Sequence, residues 1–184
     1  KIFLSLWHLN AHNEKIKGVF LPIAKYVIAN SSKEFSAEKI VEYFNKQNTN
    51  SISSKYVYRY LDKLEQACLI NRVNRYDIAS KRNLKSIEKQ FVIDPGFLLV
   101  VNESNQVSSS HALENLVYNE LIYRGYDVKI GKTYKGEIDF VVMKDNKKCF
   151  IQVAYMLISD DVIEREFGAY KSVRDSSPKY VLSL

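Results

Sequence analysis

Residues 136–142 read GEIDFVV, and after a short polar break residues 150–155 read FIQVAY. Both runs are rich in β-formers, and strand residues two apart share a face. Glu137 and Asp139 therefore project together, alternating with apolar Ile138 and Phe140. Gln152 and Ala154 form the corresponding pair one strand later. Lys144-Asp145-Asn146 breaks the two runs and reads as a turn.

Working outward, residues 126–130 make a further β-rich run, and residues 113–124 repeat apolar side chains at helical spacing. Gly125 follows that helix, where glycine commonly ends one. Downstream, Asp160 or Asp161 can cap a helix to about residue 173, and residues 179–182 make a last strand after Ser177-Pro178. A helix, three strands, a helix and a strand imply an α/β (α+β) layer fold.

Upstream of residue 95 the pattern changes. Helices are expected over 19–29, over about 36–46 with Ser36 as cap, and from Ser53 or Ser54 to about residue 67. Strands are expected over 69–76 and 90–93, joined by the basic segment 77–89. Residues 1–17 are expected to form a helix packed on this unit. Turn signals at Asp94-Pro95-Gly96 and Ser108-Ser109-Ser110 bracket a boundary, giving units 1–95 and 96–184.

Charge divides along the same line. The net charge is +6, but residues 1–95 carry 16 Lys/Arg against 9 Asp/Glu, whereas residues 96–184 carry 11 against 12. One nucleic-acid-facing part beside one part with another task fits that asymmetry. Hydrophobic residues make up 46% of the chain, enough for a core without metal or disulfide staples. No run approaches the roughly 20 apolar residues of a membrane span. The opening KIFLSLWHL is too short and interrupted for a signal peptide. The first residue is Lys1 rather than Met, as in a piece of something longer. Cys68 and Cys149 each sit in an apolar run and read as buried free thiols, so the expected location is the cytoplasm.

Two sets of residues carry chemistry. In the third helix Val57, Leu61 and Leu64 mark an inner face, and Lys55, Arg59 and Lys63 recur four apart on the opposite side. A cationic outer face of this kind suits a major groove. Arg72, Arg75, Lys81 and Arg82, with Lys85 and Lys89 beyond them, suit a hairpin gripping phosphates. The second set is acidic: Glu114 beside the apolar helix face, with Glu137 and Asp139 on their strand. Metal-dependent phosphodiester cleavage needs such carboxylates around Mg²⁺ and a cation nearby. Two superficial matches fail. The run Gly125 to Gly131-Lys132-Thr133 has five intervening residues and precedes a strand, unlike a P-loop. His8 and His12 lack the glutamate of a zinc protease motif and read as ordinary surface histidines.

The strings LENLVYNELIYRGYDV, GEIDFVV, FIQVAYML, EREFGAY and SPKYVLSL resemble the PD-(D/E)XK restriction-endonuclease-like domain, of unknown function, at the C-terminus of a family of prokaryotic AAA+-like ATPases. The resemblance covers about residues 19–184. It implies a winged helix-turn-helix followed by an αβββαβ nuclease-like domain, with a P-loop ATPase domain preceding both. It places Glu114, Asp139 and Gln152 at the motif's three polar positions, with Glu114 and Asp139 as weak Mg²⁺ ligands. The motif's last strand should read acid-x-Lys, but this chain has Gln152 and Ala154 there. A neutral amide is a poorer Mg²⁺ ligand than a carboxylate, and alanine brings no charge. Lys148 shares the face of Gln152 but lies two pleats away.

The expectation is thus a non-catalytic or weakly catalytic DNA-associated module of an ATPase. Its expected partners are double-stranded DNA and the P-loop domain, with no membrane; Mg²⁺ at low affinity is the one cofactor weighed, and ATP is not expected to bind these residues. Two alternatives remain: an active Mg²⁺-dependent DNA endonuclease, and a protein-interaction region docking the ATPase domain.

Overall fold

The computed structural model describes residues 14–47, 52–101 and 108–184. The expected helix over 1–17 falls mostly outside them, as do His8 and His12. In chain order the elements are α1 (Glu14–Ala29), β1 (Glu34–Phe35), α2 (Ala37–Gln47), α3 (Ser54–Gln66), β2 (Ile70–Asp77) and β3 (Arg82–Val92). There follow α4 (Gly96–Val101), α5 (Ser109–Tyr123), β4 (Asp127–Lys132), β5 (Glu137–Lys144), β6 (Lys147–Ala154), α6 (Asp160–Gly168), a 3₁₀ turn (Ala169–Ser172) and β7 (Lys179–Ser183).

Local chemistry explains most boundaries. Ser36 Oγ accepts the Lys39 N–H at 3.2 Å and so caps α2. Gly125 ends α5 at φ +78°, in the left-handed region that a side chain disfavours. Asp145 and Asn146 have φ of 51° and 59°, the geometry of a two-residue turn whose twist matches the β5–β6 hairpin. The basic segment 77–89, expected as a connection, is instead mostly strand from Arg82 onward. The β2–β3 ladder supplies its backbone partners, and only a tight turn remains, with Lys81 at φ +55°. Residues 96–101, expected within the boundary stretch, form α4, whose Leu98 is buried with the first three helices.

The seven strands form a single mixed sheet in the order β1-β3-β2-β4-β5-β6-β7. Antiparallel pairs dominate, but β2 pairs β4 and β6 pairs β7 in parallel. The β2–β4 pairing joins the hairpin of the first half to the sheet of the second. On one face of the hairpin, Ile70 and Val92 pack with Val27, Ile40, Leu61 and Leu64 of the N-terminal helices. On the other, Val73 and Phe91 pack with Tyr118 and Leu121 of α5. Phe91 stacks on Tyr118 with ring centres 4.1 Å apart. These cores cover both faces of the hairpin around Ile70–Val73 and Phe91–Val92, and residues from both halves fill the second core.

Buried polar groups fasten α5 to β3. Asn115 is fully buried; its Oδ1 accepts from Ser31 Oγ (2.6 Å) and the Val92 N–H (2.9 Å). Its Nδ2 donates to Val92 O at 2.8 Å, and Asn119 Nδ2 donates to the same carbonyl at 3.0 Å. The Asn115 amide thereby engages β3 as a neighbouring strand's backbone would.

Two sequence expectations are corrected here. Cys68, read as buried, is exposed: it ends α3 at φ +54°, and that left-handed bend turns it out of the apolar run. Strict alternation along β5 is also wrong. Lys129 of β4 faces Val141 and Gly131 faces Ile138, so Asp139 and Phe140 together oppose Ile130 alone. This β-bulge shifts the side-chain parity. Ile138 and Val141 join the core beneath Tyr170, whereas Phe140 and Val142 join the core beneath α5.

Candidate functional site

The sequence's acidic set meets the N-terminal half at the bulge. Lys89, from β3, lies directly across from Glu34 of β1. Its ammonium donates to Glu114 Oε1 at 2.9 Å and also contacts the Glu137 carboxylate. Arg75, from β2, binds Glu34 Oε1 at 2.5 Å and the other Glu137 oxygen. The charges run Glu114, Lys89, Glu137, Arg75, Glu34, alternating in sign across α5, β3, β5, β2 and β1. Arg75 is 2% exposed, and its Nε finds no acceptor among the described residues. Burial raises the Glu114 carboxyl to about 7, which Lys89 opposes and Asp139 reinforces. Burial likewise raises Asp139 to about 6, against the Val153 N–H and Lys89. Burial would lower the Lys89 ammonium, but Glu114 and Glu137 outweigh it and hold it above its usual range. The Arg75 hydrogen bond lowers Glu34.

Asp139 and Gln152 are engaged with backbone. The β5–β6 ladder ends at the Phe140–Ile151 pair. Just beyond it, the Asp139 N–H donates to Gln152 Oε1 at 3.1 Å, and Asp139 Oδ2 accepts the Val153 N–H at 2.7 Å. The two side chains thus clasp the strands where the regular ladder stops. Ala154 is buried and pairs with Ser183 of β7. Lys148 is held by Asp175 at 2.5 Å, so it does not reach the acids.

This arrangement does not fit the Mg²⁺ site that the motif positions implied. Glu114 is paired with the Lys89 ammonium, and Asp139 and Gln152 already serve as acceptors to backbone N–H groups. Among the described residues, no three His, Cys, Asp or Glu side chains are grouped to hold a metal ion. Sequence reasoning assigned Lys89 to the exterior of the hairpin and missed its inward role. The available signal was parity: Lys89 shares a strand face with Phe91, a core residue.

Of the cations expected to face DNA, Lys55 and Arg59 of α3 are exposed, and Lys63 is half-buried. Lys81 and Arg82 are exposed at the β2–β3 turn. Two others leave the set. Arg75 is buried in the charge array, its guanidinium held between Glu34 and Glu137. Arg72 turns back onto Asp62 (2.8 Å) and Glu65 (2.9 Å) of α3. Tyr56 and Tyr58 are exposed on α3, and the Arg59 guanidinium lies 5.9 Å from the Tyr56 ring centre.

The chain belongs to a family described as a domain of unknown function (DUF8612), whose model matches residues 11–108. That match runs from α1 through the hairpin and α4, ending where α5 begins. The chain is 37% identical over 103 residues to an uncharacterized protein of Haemophilus influenzae, covering 56% of this chain and 26% of that protein. It is 33% identical over 149 residues to an uncharacterized protein of Methanocaldococcus jannaschii, covering 78% of this chain and 32% of that protein. The chain therefore spans about a quarter to a third of the length of these curated relatives. No solved structure matches it. No described helix is long and apolar enough to cross a membrane.

Proposed function

We propose that this chain is a non-catalytic, DNA-associated module of a larger protein, binding duplex DNA through the outer face of α3 and the β2–β3 turn. The observation that carries the reading is the division of α3: Val57, Leu61 and Leu64 are fully buried, while Lys55 and Arg59 stand exposed on the other side. The order α1, β1, α2, α3, β2, β3 supports a winged helix-turn-helix, with α3 as the helix offered to the major groove. The order α5, β4, β5, β6, α6, β7 supports a restriction-endonuclease-like second part. Lys89 on Glu114, and the Asp139–Gln152 clasp, support a nuclease-like scaffold without cleavage chemistry. The greater length of the relatives leaves room for the P-loop ATPase domain that the resemblance implies.

The test is a titration of labelled duplex DNA at several salt concentrations. Affinity is expected to fall linearly on a log–log plot, by about 0.9 power of salt per phosphate contact. Lys55→Ala with Arg59→Ala should weaken binding to all duplexes and reduce that slope by about two. No binding at low salt, or an unchanged slope in the double variant, would replace this reading with the protein-interaction one. Incubation with Mg²⁺ should leave linear and supercoiled DNA intact. Cleavage that disappears in Asp139→Ala would establish the nuclease instead.

A further inference from the structure

The β2–β3 turn does not stand alone. Beside it lie the β4–β5 turn and the segment after the 3₁₀ turn, and the three enclose a cavity of about 440 Å³. Ile78 and Ala79 line it from the first turn with Lys81, Thr133 and Tyr134 from the second, and Arg174 from the third segment. Tyr134 is 81% exposed, and Lys135 Nζ sits 5.7 Å from its ring centre. Lys81, Lys135 and Arg174 have no ion-pair partner among the described residues, and Asp175, which also lines the cavity, is neutralised by Lys148. Thr133 stiffens the turn that presents the ring: its Oγ1 accepts the Lys135 and Gly136 N–H groups at 3.2 and 3.1 Å. Tyr134 itself touches no core, so nothing in folding calls for an aromatic there.

We infer that this cavity is a subsite for an unpaired nucleotide of a DNA strand, with the base against the open face of Tyr134 and the phosphates on Lys81 and Arg174. The inference rests on the DNA-binding reading above and deepens it. The partner is chosen by chemistry. Lys81 and Arg174 in the cavity wall, with Lys135 over the exposed Tyr134 ring, match a flexible polyanion carrying flat π-faces. The volume lies within the range of small-ligand sites and suits a base with its sugar. An internal base of a duplex keeps both faces stacked and its edge paired, and cannot enter the cavity; an unpaired base can. Because Lys81 belongs to the same turn as Arg82, a duplex lying on α3 and that turn would deliver its single-stranded end to the cavity. The module would then prefer junctions between duplex and single strand over blunt duplex.

The test compares the 184-residue chain binding a blunt duplex and the same duplex carrying a short single-stranded extension, at one salt concentration. The extension should tighten binding about tenfold, within the range that base–aromatic stacking supplies. Tyr134→Ala should abolish that gain and leave blunt-duplex affinity unchanged, and Tyr134→Phe should retain it. Lys81→Ala with Arg174→Ala should reduce the gain and make it less salt-dependent. Tyr134 lies outside the core, so its substitution leaves folding intact. If the blunt duplex binds through Lys55 and Arg59 but the extension adds nothing, or Tyr134→Ala keeps the gain, the subsite is refuted and the duplex reading stands. If neither DNA binds, both are refuted.

Discussion

Lys89 shows how one side chain can change the meaning of a motif. Glu114 and Glu137 lie beside the bulge, and the cations that balance them, Lys89 and Arg75, come from strands in the other half of the chain. A buried ion pair is weak evidence of stability by itself, but removing one partner leaves a desolvated charge. Lys89→Met is therefore expected to cost about 3–5 kcal/mol. The sign of the pH dependence follows from Glu114. Its folded value, about 7, lies above the ordinary 4.5 of a free glutamate. Stability from this group is thus full below the ordinary value and is lost as pH rises through the folded one. Without Lys89 the ionised form is still less welcome, so the Lys89→Met deficit should be larger at pH 8 than at pH 5. Urea unfolding of parent and variant at both values measures this; an equal deficit would mean that Lys89 contributes packing alone.

At the scale of elements, α5 is held on β3 by overlapping hydrogen bonds. Val92 O receives both Asn115 and Asn119, and the Val92 N–H is shared between Asn115 and Ser31 Oγ. Each contact backs up another, so single losses are cushioned. Asn115→Leu should cost about 1–3 kcal/mol, the range for leaving buried polar partners unsatisfied. Asn115→Leu with Asn119→Leu should cost more than the two single changes together, since Val92 O then loses both donors. Urea midpoints at constant m-value give the comparison. Strict additivity would show that the two amides act independently. The β5 bulge belongs to the same scale. It places Asp139 beside the Val153 N–H while keeping Phe140 in the core, which regular alternation cannot do.

For the whole molecule, charge and pattern divide the chain near residue 95, but the contacts do not follow that division. The β2–β4 pairing, the Phe91–Tyr118 stack and the ion pairs of Lys89 and Arg75 all cross it. The chain is accordingly expected to unfold in a single calorimetric transition, with calorimetric and van't Hoff enthalpies equal. Two resolved transitions would show that 1–95 and 96–184 fold as separate units. Cooperative unfolding also matters to the proposed function. A duplex on α3 and a strand end at Tyr134 would then be held at a fixed separation by one sheet.

Periodicity and turn chemistry made most elements legible in the sequence. The apolar spacing of Val57, Leu61 and Leu64 marks α3, Gly125 ends α5, and Asp145-Asn146 turns the β5–β6 hairpin. These signals are local: each depends on side chains within a few residues, whose backbone preferences act before any long-range contact forms. The acids Glu114, Glu137 and Asp139 were legible for the same reason, as were the uncharged Gln152 and Ala154 on the next strand. Which cation answers those acids was not legible. Lys89 and Arg75 look like neighbours in a basic surface run, and only the parallel pairing of β2 with β4, and α5 lying on β3, turns them inward. The bulge at Asp139 is likewise set by how β4 and β5 align. Such pairings join residues dozens of positions apart, and their energy comes from burial and from satisfying charges across that distance, which a pattern along the chain does not record.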